Sequence, residues 1–494
     1  MLDSATGEIV GLNGSIAEVS FFKDQPQRHE LLRVALGQVE GQALLEVISS
    51  ASKQTMYCLI LSGSRLLARG QHVVATGKPL QVPVGEPILG RAFDLFGMPH
   101  DGGEVLSSEV SAPLFRESPK NLSNIQIPAT VMETGIKSID FFAPLLRGGK
   151  AAIIGGAGVG KTVILMKLAQ RLVVEKTKKD RSVAVFSAVG ERSREARELY
   201  ETLKESGVLP QTTLILGQMG ESPAVRFRTA YAGAAITEYF RDVEGRDVLY
   251  YMDNLYRFAQ AGHELATITN TIPSEDGYQA TLTSEMAALN ERLFSTVKTS
   301  VTSLMALFVP ADDFSDAGVR AAFPFLDTLI FLSRDIAQSG RYPAMDLLNS
   351  TSAALMPDMV SQDHYAAYVE TKQILERAAE LERIVSLVGA SELSLENQQI
   401  YKRAQFIENY MTQDLYLTPQ DTGHPDVSVP LARTIAVIRA ILNGSLDALE
   451  PSDLWYVDEA RTKAAFTKAK EAQRQSPASQ TVLKSALAVS VEAP

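Results

Sequence analysis

The stretch Gly155-Gly156-Ala157-Gly158-Val159-Gly160-Lys161-Thr162 constrains this chain more than any other feature. It fits the phosphate-loop pattern G-x-x-x-x-G-K-[ST] without a gap or a substitution. An apolar run, Ala151-Ala152-Ile153-Ile154, precedes it, and a helical pattern from Val163 to Ala169 follows. Phosphate binding needs that order of strand, loop and helix. Glycines let backbone N–H groups close around phosphate oxygens, and the helix N-terminus adds a favourable dipole. The expected nucleotide contacts are Gly156, Ala157, Gly158, Val159, Gly160, Lys161, Thr162 and Val163. Lys161 would reach the β- and γ-phosphates, and the Thr162 hydroxyl would ligate Mg2+. The competing reading is a glycine-rich turn that binds nothing. The strand and helix on either side favour a bound nucleoside triphosphate.

The chain has 494 residues, enough for roughly two to four domains. Its 58 acidic residues outnumber the 47 basic ones, for a net charge of −11. Such a balance supplies no overall field towards nucleic acid or anionic lipid. The only cysteine, Cys58, lies in the apolar run Met56–Leu61, so it reads as a buried, inert thiol. No stretch approaches the ~18 uninterrupted apolar residues of a membrane span. The N-terminus is neither basic nor apolar enough for a signal or transit peptide.

Residues 1–82 read as an all-β barrel or sandwich, with short strands Glu8–Gly11, Ile16–Phe21 and Leu44–Ile48 between turn clusters. Pro83-Val84-Gly85-Glu86-Pro87 resembles a linker. From there to residue 355, strands alternate with helices, which argues for a largely parallel sheet. The expected strands are Lys150–Ile154, Ser182–Val189, Asp247–Met252 and Ser303–Val309, with helices at Ser193–Ser206 and Ala224–Arg241. Residues 356–473 read as helical, starting with a long charged helix over 364–388, and 474–494 as a loose tail.

Hydrolysis also needs a metal carboxylate and a group that orients water. The apolar strand Val248–Met252 ends in Asp253, a Walker B arrangement. The alternative is an aspartate capping a helix before Asn254. The strand Val183–Val189 ends in Gly190-Glu191-Arg192, so Glu191 should leave the same sheet edge about one strand from the loop. There it would hold water opposite the γ-phosphate, or else form an exposed ion pair with Arg192 or Arg194.

Several strings carry a family resemblance: GGAGVGKT, VGERSREARELY (189–200), YYMDNLYRFAQAG (250–262), GYQATLTSEM (277–286), VPADDFSDAG (309–318) and YPAMDLLNSTS (342–352). In order and spacing they resemble the catalytic β-subunit of F-type rotary ATP synthases, over nearly all of the chain from Gly7 to about Gln473. The resemblance implies a multi-domain fold: an N-terminal all-β barrel, a central α/β P-loop domain and a C-terminal α-helical bundle. It implies ATP or ADP with Mg2+. Glu191 would polarise the attacking water, and Glu195 and Asp253 would act on the metal through water. Arg192 and Arg257 match basic residues near the γ-phosphate, and Tyr342 an aromatic that stacks on adenine. It further implies homologous non-catalytic α-type subunits in an alternating hexamer, a central γ-type shaft and a neighbouring arginine completing the site. The complex would sit on the cytoplasmic face of a bacterial membrane, or on the matrix side of an organelle, touching the membrane only indirectly and coupled to proton transport.

Two departures stand out. Where the family has a pair of phenylalanines in the adenine pocket, this chain has Leu415 and Asp421, with Tyr416 as a substitute under a one-residue shift. The lever loop facing the shaft, usually Asp-Glu-Leu-Ser-Glu-Glu-Asp, reads Ser391-Glu392-Leu393-Ser394-Leu395-Glu396-Asn397. A further change puts Leu348-Asn349 where the family has Leu-Asp. These changes keep a second reading open, a divergent paralogue driving another task such as motility or protein handling. A non-catalytic nucleotide-binding subunit is a third, opposed by the intact Lys161, Glu191 and Asp253. A hexameric nucleic-acid translocase fits least, because the chain offers no basic, aromatic strip.

Overall fold

The computed structural model describes residues 5–35, 43–106, 110–116, 122–177, 182–269, 271–274, 276–415 and 427–475. The chain divides into two compact units. One comprises Met1–Pro128, Arg147–Ala157 and Leu165–Leu326; the other comprises Ala129–Leu146, Gly158–Ile164 and Asp327–Pro494.

The first unit opens with six antiparallel strands: β1 (Thr6–Asn13), β2 (Ile16–Phe21), β3 (Glu30–Val34), β4 (Ala43–Ser50), β5 (Thr55–Ser62) and β6 (His72–Pro79). They close into a barrel in the order β1-β2-β5-β4-β3-β6. Period-two alternation produces it: Val19 and Phe21, Leu45 and Val47, and Cys58 and Ile60 all point into one buried cluster. Of the two architectures that the sequence allowed, the barrel is the one formed. Burial, helped by the nearby Glu46 charge, pushes the Cys58 thiol up to about 12, so it is inert as expected.

The rest of this unit is a parallel sheet. Its strands are β7 (Ala92–Asp94), β8 (Lys150–Gly155), β9 (Val183–Glu191), β10 (Thr212–Gln218), β11 (Val248–Asp253) and β12 (Val301–Phe308). They lie in the order β8-β12-β11-β9-β10-β7, every neighbouring pair parallel. Burial on both faces accounts for the unbroken apolar sequence of Val183–Val189. β7 and β10 were not anticipated; β7 has only three residues, and β10 follows Pro210 with only Leu214, Ile215 and Leu216 as a large apolar run. The expectation that Glu191 leaves the sheet about one strand from the loop is corrected. β12 and β11 lie between β8 and β9, because strands consecutive in sequence are not neighbours in this sheet.

Helices α1 (Lys161–Thr177), α2 (Ser193–Glu205), α3 (Pro223–Asp242) and α4 (Leu255–Ile268) connect the strands, and the division between units falls inside the phosphate loop and the first turn of α1. α3 starts where Ser222 accepts from the Val225 N–H and proline occupies the first turn. It is buried over most of its length and carries Arg228, which donates to Glu46 of β4 at 2.7 and 2.9 Å.

The second unit holds the antiparallel pair β13 (Thr328–Phe331) and β14 (Thr351–Ser352), the short helix Lys137–Phe142 and four longer helices. These are α5 (Gln362–Val388), α6 (Leu395–Tyr410), α7 (Leu431–Leu442) and α8 (Glu459–Gln475). Ser361 caps α5 by accepting from the His364 N–H, and Gly389, at φ 89°, ends it. Tyr416, Asp421 and the tail beyond Gln475 lie outside the described residues. Among the described residues, no helix is long and apolar enough to cross a membrane.

Candidate active site

The phosphate loop follows β8 and leads into α1 as the sequence required. Gly158 and Gly160 take φ of 77° and 92°, the left-handed region that an L side chain resists, and an added Cβ at either would stand in open space. The conformation of the loop, rather than crowding, therefore calls for glycine at these two places. Gly155 and Gly156 group with the first unit, and Lys161, Thr162 and Val163 with the second.

At the carboxyl edge of the first unit's sheet, β11 ends in Asp253, opposite Ala188 of β9. Asp253 is 9% exposed. The helix cap proposed as its alternative role belongs to its neighbour. Asn254 Oδ1 accepts from the Tyr256 N–H at 3.0 Å and from the Phe308 N–H at 3.2 Å, fixing the start of α4 against the end of β12. The Asp253 charge instead acts on Glu191. Nothing in the sequence reading assigned Asn254 this role, although an Asn at a strand-to-helix turn is a recognised cap signal.

Glu191 is placed by a bulge. Between Val189 and Glu191 the register of β9 against β10 shifts, with Gly190 at φ 70°. A Cβ at Gly190 would stand 3.0 Å from the Arg257 Cβ, so the bulge also lets α4 approach. We expect Gly190→Ala to cost about 1–2 kcal/mol through the left-handed backbone. Urea unfolding measures that cost, and turnover should fall more than nucleotide affinity because Glu191 and Arg257 are pushed apart.

The ion pair offered as the alternative for Glu191 does not form. Arg192 reaches Glu195 at 3.8 Å and Arg194 reaches Glu198 at 3.6 Å, both exposed. Glu191 instead meets Asp253, Glu195 and Arg257. Burial, the Asp253 charge and Glu195 together push its carboxyl up to about 9, and Arg257 pulls the other way. Arg257 donates to Gln260 Oε1 at 2.7 Å and lies over the Phe308 ring.

Asp253 and Glu195, which both act on Glu191, are hard-oxygen donors. Among the described residues, no three acidic, His or Cys side chains come close enough to enclose a metal by themselves. This suits Mg2+, which keeps several waters and takes few direct carboxylates, the rest of its shell coming from phosphate. Asp253 and Glu195 could hold such an ion through water.

In the second unit, Tyr342, 44% exposed, lines a cavity of about 250 Å3 with Val159, Gly160, Val163, Ile164 and Leu415. Pro343, Gln413, Asp414 and Tyr456 complete the wall, and the sequence reading named none of these four as a site residue. Pro343 was legible as the partner of Tyr342 in a Tyr-Pro pair. Tyr456 is 114 residues from Tyr342, and no local pattern announces it.

A glycine-rich loop between a parallel strand and a helix, with buried carboxylates on the same sheet edge, defines a P-loop nucleoside triphosphatase. The family described as "ATP synthase alpha/beta family, nucleotide-binding domain" matches residues 135–352. "C-terminal domain of V and A type ATP synthase" matches residues 353–456. The chain is 40% identical over 478 residues to "ATP synthase subunit beta 1" of Paraburkholderia xenovorans (strain LB400), covering 96% of this chain and 95% of that protein. The chain belongs to the ATP synthase alpha/beta family as a β-subunit homologue, an ATPase by class.

Proposed function

We propose that this chain is the catalytic β-type subunit of a rotary F-type ATP synthase or ATPase, acting on Mg-ATP at an inter-subunit site and coupling that chemistry to rotation of a central shaft. The observation that carries the reading is the meeting of Glu191, Glu195, Asp253 and Arg257 at the sheet edge where β8 delivers the phosphate loop. A subunit that only bound nucleotide would have no need to set the half-buried Glu191 against both the buried Asp253 and Glu195 there.

In this reading Lys161 holds the β- and γ-phosphates, and Arg257 and Arg192 neutralise charge near the γ-phosphate. Glu191 orients water, and Tyr342 and Leu415 receive the base. A magnesium ion would be held by the Thr162 hydroxyl and, through water, by Glu195 and Asp253, and would supply positive charge to offset that of the phosphates. Residues 1–82 form the barrel domain, 83–355 the nucleotide domain and 356–473 the helical domain, with 474–494 as a tail. A neighbouring α-type subunit supplies the arginine that completes the site, so the isolated chain binds nucleotide and turns it over slowly. The complex is peripheral to a membrane.

The tip between α5 and α6 favours a second reading. Leu395, in the 391–397 loop, and Leu387, near the end of α5, are each 79% exposed and Ile384 47%, beside a loop that lacks the family's acidic pattern. An apolar tip suits a divergent motor with an unusual shaft. Purification of the native complex separates the two. An α-type subunit, a shaft and a ring of membrane carriers support the synthase, and a different set of companions supports the divergent motor. A purified chain with neither nucleotide nor companions would refute both.

A further inference from the structure

Tyr342 is held by its backbone from both sides. Its N–H donates to the Tyr456 hydroxyl at 2.9 Å, and its carbonyl accepts from the Gln413 N–H at 2.8 Å. The same Tyr456 hydroxyl donates to the Gly340 carbonyl at 2.7 Å, so one oxygen spans both sides of the turn that presents Tyr342. Tyr456 is itself anchored, its N–H donating to Thr412 Oγ1 at 2.8 Å, just beyond the end of α6.

The pocket adds a second observation. Tyr342 and Tyr456 supply the only two aromatic rings among the described residues of the cavity wall, with Leu415 where an aromatic was expected. Tyr456 also sits at φ 47°, a left-handed backbone that a bulky side chain rarely adopts and that glycine would accept freely. Strain of this kind persists where the surrounding structure over-determines it, and it concentrates at ligand sites. Gln413 cannot take over the recognition of a base. Its side-chain oxygen accepts from the Lys137 N–H at 2.9 Å, and its amide donates to the carbonyls of Gly135 and Val427 at 2.8 and 2.5 Å.

We propose that Tyr456 is a base-binding and positioning residue: its hydroxyl fixes Tyr342 at the stacking position, and its ring forms the second aromatic wall that Leu415 does not provide. This rests on the reading of the cavity as the base site of the nucleotide. The hydroxyl is occupied by the 340–342 turn, so it does not read the edge of the base, and its loss should affect adenine and guanine nucleotides alike.

The test uses the full-length chain with Mg-ADP and Mg-GDP, measured by equilibrium dialysis, and the native complex for turnover. Tyr456→Phe keeps the ring and removes the hydroxyl. It should weaken both nucleotides roughly three- to tenfold, the effect of one lost hydrogen bond. KM should rise by a similar factor while kcat stays unchanged. Tyr456→Leu removes the ring too and should weaken binding further, while Tyr456→Phe recovers part of that loss. Leu415→Phe in the Tyr456→Leu background should restore affinity to about that of Tyr456→Phe by returning an aromatic wall. Affinities within twofold of wild type for Tyr456→Phe, or a fall in kcat at constant KM, would overturn the proposal. So would weakened binding that Leu415→Phe leaves unrepaired, since a purely structural role predicts that. A wild-type chain that binds neither nucleotide would instead remove the base-site reading itself.

Discussion

Glu191→Gln is expected to bind magnesium nucleotide like the wild type and to lose hydrolysis in the assembled complex by about 10²–10⁴-fold, the usual contribution of a positioned general base. The substitution keeps shape and one acceptor oxygen while removing the carboxyl that, in the proposed reading, orients water and takes its proton once bound cations favour the ionised form. Neither Arg192 nor Arg194 pairs with Glu191, so no ion pair breaks. Burial and the Asp253 charge already favour the neutral form of Glu191, so a neutral amide in its place should leave thermal stability unchanged. Single-turnover hydrolysis and nucleotide titration of the same preparation measure both halves. Wild-type-like turnover would end the assignment of Glu191 as the water-orienting residue. Lost binding would mean that its charge holds the metal rather than the water.

The largest effect on stability should come from Glu46→Ala, at about 3–5 kcal/mol, the range for removing one partner of a buried ion pair. Glu46 is 0% exposed and Arg228 6%. The carboxylate also accepts from His29 Nδ1 at 2.7 Å, and His29 stacks on Phe115 at 4.1 Å. Burial opposes ionisation of Glu46, but Arg228 and His29 outweigh it and hold its pKa below the ordinary value. A depressed carboxylate pKa gives stability that is fully present above the unfolded value of ~4.3 and fades as pH falls through the folded one. The gap between wild type and Glu46→Ala should therefore stay constant near neutral pH and narrow in acid below about pH 4. Denaturant unfolding across that range measures it. Replacing Glu46 and Arg228 together by methionine should recover much of the loss, because the cost comes mainly from an orphaned charge.

Much of the catalytic edge was legible because its signals are local. A phosphate loop, an apolar strand ending in Asp253 and another ending in Gly190-Glu191 each fit within ten residues, and strands buried on both faces read as continuous apolar runs. Strand order was not legible. The placement of β12 and β11 between β8 and β9 depends on crossover connections that local composition does not encode. β10 was missed because its apolar run is short, and Asn254 because the neighbouring Asp253 competed for the same role. The base pocket was hardest to read. Its wall combines residues 159–160, 163–164, 342–343, 413–415 and 456, and the hydrogen bond between Tyr456 and Tyr342 joins segments more than a hundred residues apart.

The closed barrel has a consequence for assembly. Pairing of β1 with β6 and of β3 with β6 leaves its six strands without a free edge. No partner can join this part of the molecule by adding a strand, and no copy can trade one without first opening the ring. Neighbours placed beside it must meet through side chains and loops alone. A crown of such barrels would come apart on dilution or a change of salt with every strand still in register, and could be put together again without refolding.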